Sequence, residues 1–176
     1  MNYWMQSPTN IYVAAHRGWR TKYPENTMAA FRASVDEGYD YIEFDPKYTS
    51  DGEIVILHDH TLDRTARNAD GSNVKEGTKI KEITLSEARG YDYGLWFSED
   101  FRGEKIPLLR ELLDLAAETN GAQIPWEHTS LIGDFSSDTL ASIKAVQHKK
   151  QNQPSWLVFF FGTMCSASGT RCALRA

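Results

Sequence analysis

Apolar residues in this chain come in short runs that stop abruptly at polar ones. "IYVAA" (11–15) ends at His16-Arg17 and reads as a buried strand. Over "ENTMAAFRASVDEG" the period changes. Met28, Phe31 and Val35 recur at helical spacing, Asn26 or Thr27 can cap the start, and Gly38 can close the end in a left-handed conformation. "YDYIEFD" is then a strand, so the first 45 residues predict a parallel βαβ unit with a right-handed crossover. "IVILHD" follows after only "SDGE", which leaves no room for a crossover, so it returns antiparallel. Pro46 cannot donate to a ladder and marks an edge or a bulge.

Residues 59–106 lose the pattern. They are polar and rich in Gly, Asp, Asn and Lys, with one helical start at "TLSEAR", where Thr84 and Glu87 have capping-box spacing. They read as a small inserted lobe, or more plainly as a solvated surface excursion. "PLLRELLDLAAETNG" restores a strong helix, with Pro107 in its first turn, Asn120-Gly121 at its end, and Leu109, Leu112, Leu113 and Ala116 as its buried stripe. "AQIPWEH" reads as a further strand, expected parallel beside 41–45. "SSDTLASIKAVQHKK" reads as a capped helix and "WLVFFF" as a buried strand. The strands expected are thus 11–15, 41–45, 122–127 and 156–161, with 131–135 as a weaker fifth.

Composition adds exclusions. The chain has 176 residues, is 41% hydrophobic and carries a formal net charge of −5 without a basic stripe. One domain with a real core is expected, and no nucleic-acid partner. Only Cys165 and Cys172 are present, which is no disulfide framework. The N-terminus lacks the basic start and apolar stretch of a signal peptide, and the longest apolar run is too short for a membrane span. A cytoplasmic location is expected.

The chemistry gathers where strands end. Glu43 and Asp45 are two apart on a strand and share a face, opposite Ile42 and Phe44. Two buried acids side by side call for compensation, and a hard divalent cation (Mg²⁺, Ca²⁺ or Mn²⁺) supplies it. A pair of solvated acids is the simpler alternative. If Asp51-Gly52 form a two-residue turn, Ser50 faces Glu53 and the ladder pairs Asp45 with His58. A bulge at Pro46 would slip that register by one residue. His16 and Arg17 end the neighbouring strand, where ligands of such folds bind. Two histidines for proton transfer, a carboxylate-held cation and an arginine for phosphate oxygens are the parts needed to split a phosphodiester.

Several stretches, in order, resemble the glycerophosphodiester phosphodiesterase family: "HRG", "PENTMAAF", "IEFDP", "TSDG", "HDHTLDRT", "YGLWF" and "EKIPLLRELL". The resemblance implies a TIM-type (β/α) barrel with a small insertion after the His-Asp hairpin, and hydrolysis of a small-molecule glycerophosphodiester to glycerol 3-phosphate and an alcohol. It implies His16 and His58 as the acid–base pair, Arg17 as a phosphate contact, and Glu43, Asp45 and Glu127 as metal ligands. Thr129 stands where the family pattern has a lysine. A typical barrel needs about 250 residues, so the expectation is one partial barrel over 1–176 with the lobe at 59–106 inside it. Unclosed sheet edges would then favour self-association. The rival readings are an inactive member of the family and a related phosphodiester lyase of the phospholipase C or sphingomyelinase D type.

Overall fold

The structure is a computed structural model that describes residues 13–39, 41–119 and 130–133. Three parallel strands form its first sheet, in the order β1 (Ala14–His16), β2 (Tyr41–Phe44) and β5 (Ser130–Gly133). The βαβ expectation holds: β1 and β2 pair in parallel, with α1 (Met28–Glu37) between them in the chain. Thr27 caps α1 by accepting the Ala30 N–H, and Gly38 closes it at φ 80° with its N–H on the Ser34 and Val35 carbonyls. The neighbour of β2 differs from expectation. Both its sides are occupied, by β1 and by Ser130–Gly133, so the weaker fifth strand takes the place expected for 122–127. The expected strands at 122–127 and 156–161, the helix after residue 135, Glu127 and Thr129 lie outside the described residues.

After Phe44 the chain leaves this sheet. Pro46, which cannot donate to a ladder, opens β3 (Pro46–Tyr48), and β3 pairs antiparallel with β4 (Ile54–Ile56). The hairpin is as expected, but its register is not. Pro46 faces Ile56, and the Leu57 N–H donates to the Asp45 carbonyl, so Leu57 rather than His58 stands opposite Asp45. The turn is one residue longer than a two-residue Asp-Gly turn. Thr49 and Glu53 close it, Gly52 takes φ 84°, and the Thr49 hydroxyl accepts the Glu53 N–H at 3.0 Å. The Thr49 side chain competes for that closing bond, which register counting from Asp-Gly alone overlooks.

β4 is apolar throughout because it is a wall between two cores. Ile54 and Ile56 pack with Phe31, Val35, Ile42, Phe44 and the leucines of α3 (Leu109–Thr119). Val55 and Leu57 turn the other way, into a second cluster with Leu62, Val74, Ile80, Tyr93 and Ile106. Alternation along a strand divides consecutive side chains in this way. Residues 59–106 are therefore no solvated excursion. Leu62, Ala66, Val74, Ile80, Ala88, Tyr93 and Ile106 of this stretch are buried together against Val55, Leu57 and Leu108, with α2 (Leu85–Ala88) held by the Thr84–Glu87 capping box. On α3, Leu109, Leu112 and Leu115 are buried, while Leu113 and Ala116 are half-covered at the margin. The stripe is thus rotated slightly from the one expected.

Several contacts tie the lobe to the barrel part. Asp51 in the hairpin turn accepts the Leu85 N–H at 3.0 Å. A run of ring contacts leads from Tyr39 through Trp19 and Tyr23 to Phe101 and Phe97, with centroids 5.5–6.0 Å apart. No helix among the described residues is long and apolar enough to cross a membrane.

Candidate active site

The "HRG" stretch is three backbone requirements in a row. His16 ends β1, and the chain then turns hard, with Arg17 at φ 60° and Gly18 at φ 76°. A left-handed arginine is strained, on the order of 1 kcal/mol. In return its backbone N–H points at β2 and donates to Glu43 Oε2 at 2.9 Å. Gly18 leaves no room for a side chain, because a Cβ there would sit 2.7 Å from the Cβ of Ala30 on α1. Asn26, at φ 54°, donates its N–H to the Arg17 carbonyl at 2.9 Å and closes the loop. Its side-chain amide donates to Asp45 Oδ2, also at 2.9 Å.

The two carboxylates stand as their strand parity requires. Ile42 and Phe44 are buried in the core beneath α1 and α3, while Glu43 and Asp45 are half-buried at the end of β2. His16 Nε2 lies 3.8 Å from Glu43 Oε2, and Arg17 Nε lies 3.5 Å from Asp45 Oδ2. Burial pushes the Glu43 carboxyl up from its ordinary pKa and the charge of Asp45 adds to this, while Arg17 and His58 act against it. His58 therefore stands within electrostatic reach of Glu43 despite the shifted register. Burial, with the charges of Arg17 and Arg20, lowers the His16 pKa against the opposing pull of Asp45 and Glu25, so neutral imidazole dominates at pH 7.

His58 is held from behind. Its Nδ1 is 2.6 Å from Asp59 Oδ1, and Asp59 Oδ2 accepts from Arg64 Nε at 2.7 Å. Arg64 and then His58 hold the Asp59 carboxyl down at about 2. Glu25 Oε1 accepts from both Arg64 Nη2 (2.6 Å) and Arg17 Nη1 (3.0 Å). Burial works against the charge on Glu25, but the two arginines outweigh it and lower its pKa.

His16, Arg17, Glu43, Asp45 and His58 thus belong to one cluster, and Glu127 lies outside the described residues. Arg17, expected as a phosphate contact, is engaged by side chains of the chain itself. Its side chain is only 13% exposed and faces the carboxylates of Glu25 and Asp45. Reading the residues one by one missed Glu25, Asn26, Asp59 and Arg64. Their signal was adjacency: "PEN" closes the loop after "HRG", and "HDHTLDR" follows the hairpin.

The carboxylate pair fits a hard cation within limits. Among the described residues no group of three or more His, Cys, Asp or Glu side chains is placed to hold a metal. Two carboxylates suffice for an ion of the Mg²⁺ type, which completes its shell with water and phosphate oxygens. The raised pKa of Glu43 reflects burial and like charge, both of which a bound cation would counter.

Comparison with known proteins agrees with this geometry. Residues 16–156 match the glycerophosphoryl diester phosphodiesterase family. A glycerophosphodiester phosphodiesterase of Caldanaerobacter subterraneus subsp. tengcongensis is 42% identical over 106 residues, which is 60% of this chain and 40% of that protein. Among solved structures, a glycerophosphodiester phosphodiesterase from Agrobacterium tumefaciens superposes with a TM-score of 0.65 at 26% identity, covering 88% of this chain and 58% of the other. An Oleispira antarctica phosphodiesterase, solved with the product sn-glycerol-3-phosphate, gives 0.64 at 28% identity, covering 85% and 56%. The chain therefore spans roughly half the length of these relatives. The fold is the TIM-type barrel of those structures, and the described residues supply three adjacent strands of it with the lobe. This chain belongs to the glycerophosphoryl diester phosphodiesterase family.

Proposed function

We propose that this site hydrolyses glycerophosphodiesters to glycerol 3-phosphate and an alcohol, with the aid of a divalent cation. One observation carries the reading: His16 rests 3.8 Å from Glu43, and His58, from a different element, is joined to the same group through Asp59, Arg64, Glu25 and Arg17. The product bound to the Oleispira antarctica relative supports the substrate class.

Each group has a physical task. One histidine takes a proton from the nucleophile and the other gives one to the leaving alcohol. His16, kept neutral by burial and neighbouring cations, suits the accepting role. His58 exchanges its proton through Nε2, because Asp59 occupies Nδ1 whether the ring is neutral or charged. Arg17 is locked by Glu25 and by the turn after β1, so its charge is in place before phosphate arrives. A cation held by Glu43 and Asp45, joined by Glu127, would supply further charge for the phosphoryl oxygens. On this reading the reaction belongs to glycerol and lipid metabolism, in a cytoplasmic setting.

The test is release of glycerol 3-phosphate from glycerophosphocholine by the purified chain, with Mg²⁺, Ca²⁺ or Mn²⁺ and with chelator. Metal-dependent release is expected. A cyclic phosphodiester as sole product would favour the lyase alternative, and no turnover with any ion would favour an inactive member of the family.

A further inference from the structure

We propose that Arg64, carried by the lobe, is a positioning residue that holds the two histidine-bearing strand ends in one geometry. The proposal rests on the phosphodiesterase reading above. Its basis is a continuous line of contacts across the cluster. His58 Nδ1 meets Asp59 at 2.6 Å, and Arg64 Nε meets the other oxygen of Asp59 at 2.7 Å. Arg64 Nη2 meets Glu25 at 2.6 Å, and the same Glu25 oxygen meets Arg17 Nη1 at 3.0 Å. The Arg17 backbone then holds Glu43, against which His16 rests.

The guanidinium suits this place and an ammonium does not. Two nitrogens fixed in one plane reach two carboxylates at once, whereas lysine presents a single point of charge. Arg64 is 43% exposed, which alone would suggest a surface ion pair of little value, but its partner Glu25 is only 9% exposed. One end of the clamp is therefore fixed in the barrel part. The other bears on Asp59, whose grip on Nδ1 leaves Nε2 as the atom free to exchange a proton. Without Arg64, Asp59 loses the guanidinium that bonds its Oδ2, and both the ring angle and the tautomer of His58 relax. The lobe then has a role at the reacting centre without giving a group to the substrate.

The experiment compares wild type with Arg64→Met, Arg64→Lys and a lobe control, Arg102→Met. Arg102 bonds Glu99 three positions away and the Ala69 carbonyl, apart from the cluster. Two readouts are taken on the whole chain: kcat and KM on glycerophosphocholine, and the ¹⁵N signals of the histidine rings. Arg64→Met is expected to lower kcat about tenfold to hundredfold, the usual scale for partners that orient a site group, with KM within about threefold. Arg64→Lys should recover only part of the loss, and Arg102→Met should show no loss. His58 should show protonated Nδ1 in wild type and lose that preference in Arg64→Met. Unchanged kcat, or a fall in kcat with the His58 tautomer unchanged, overturns the proposal. If Arg64→Met loses its circular dichroism, Arg64→Lys decides by the same criteria. A wild type without turnover defeats the phosphodiesterase reading, while the ring signals still decide what Arg64 does.

Discussion

The lobe and the strand-end cluster differ in how they carry backbone strain and like charge. In the lobe, acids are satisfied locally. Asp92 is buried, and although burial alone would raise its pKa, N–H groups of Gly103, Leu95 and Gly94 turn the shift downward. Glu87 and Asp70 are lowered by their own capping and turn partners. Glu104, at the seam with α1, is the exception, raised by burial. The described lobe residues with left-handed backbone are all glycines: Gly71, Gly77 and Gly103. At the strand ends, by contrast, Glu43 is raised, Arg17 and Asn26 hold left-handed conformations without being glycine, and the buried Arg17 Nε and Asn26 Oδ1 lack hydrogen-bond partners. Unpaired atoms alone do not separate the regions, since Thr65 Oγ1 in the lobe is also unpaired. What separates them is strain combined with like charge, which proteins retain where chemistry requires it.

This contrast can be broken first at the histidines. His16→Ala and His58→Ala should each lower turnover by about 10²–10⁴-fold, with the melting transition little changed. A near-normal rate in either variant would remove that ring from the reaction.

The two cores offer the next test. Leu62→Ala empties a fully buried site in the lobe and Leu112→Ala one in the barrel core. Each should cost about 2–5 kcal/mol. Hydrogen exchange should rise chiefly in residues 62–106 for the first and in α1, β2 and α3 for the second. Equal loss across both regions would show that β4 joins them into one cooperative unit.

Acid should reach the seam between the regions. Asp59 has a folded pKa of about 2 against an ordinary 3.8, so the folded state binds fewer protons than the unfolded one in that window. Its contribution to stability is full above 3.8 and is lost as pH falls toward 2. Asp59→Asn should flatten that part of the stability–pH curve. An unchanged curve would mean that the contact with Arg64 is too solvated to matter.

The smallest effect should come from Glu43→Gln. The Glu43 pKa is raised, so the folded state binds more protons than the unfolded one just above pH 4.5, and ionisation of Glu43 weakens the fold as pH rises. Replacing it should leave metal-free stability unchanged or slightly higher at pH 7 while weakening binding of Mg²⁺ in calorimetry. Unaltered Mg²⁺ affinity would take Glu43 out of the metal site.

Much of this could be read along the chain. Helical spacing placed α1 and α3, Thr27 and Gly38 capped α1 as read, and the missing crossover before "IVILHD" required a hairpin. Parity put Glu43 on the face opposite Ile42 and Phe44. Such features depend on residues a few positions apart, where backbone geometry allows few choices. The lobe was harder to read because its apolar residues, such as Leu62, Val74, Ile80 and Tyr93, are spaced by turns rather than by a period, so their shared burial leaves no local signature. The hairpin register turned on one hydroxyl, that of Thr49, and the neighbour of β2 turned on a contact between segments some ninety residues apart. The line from His58 through Asp59, Arg64 and Glu25 to Arg17 joins two loops, with Arg64 and Glu25 separated by 39 positions. By itself the sequence determined which residues would carry charge to the strand ends, because strand parity and abrupt polar stops are local properties. Only the tertiary structure decided which charges face one another, because Coulomb energies and hydrogen bonds depend on distances of a few ångströms that folding alone sets.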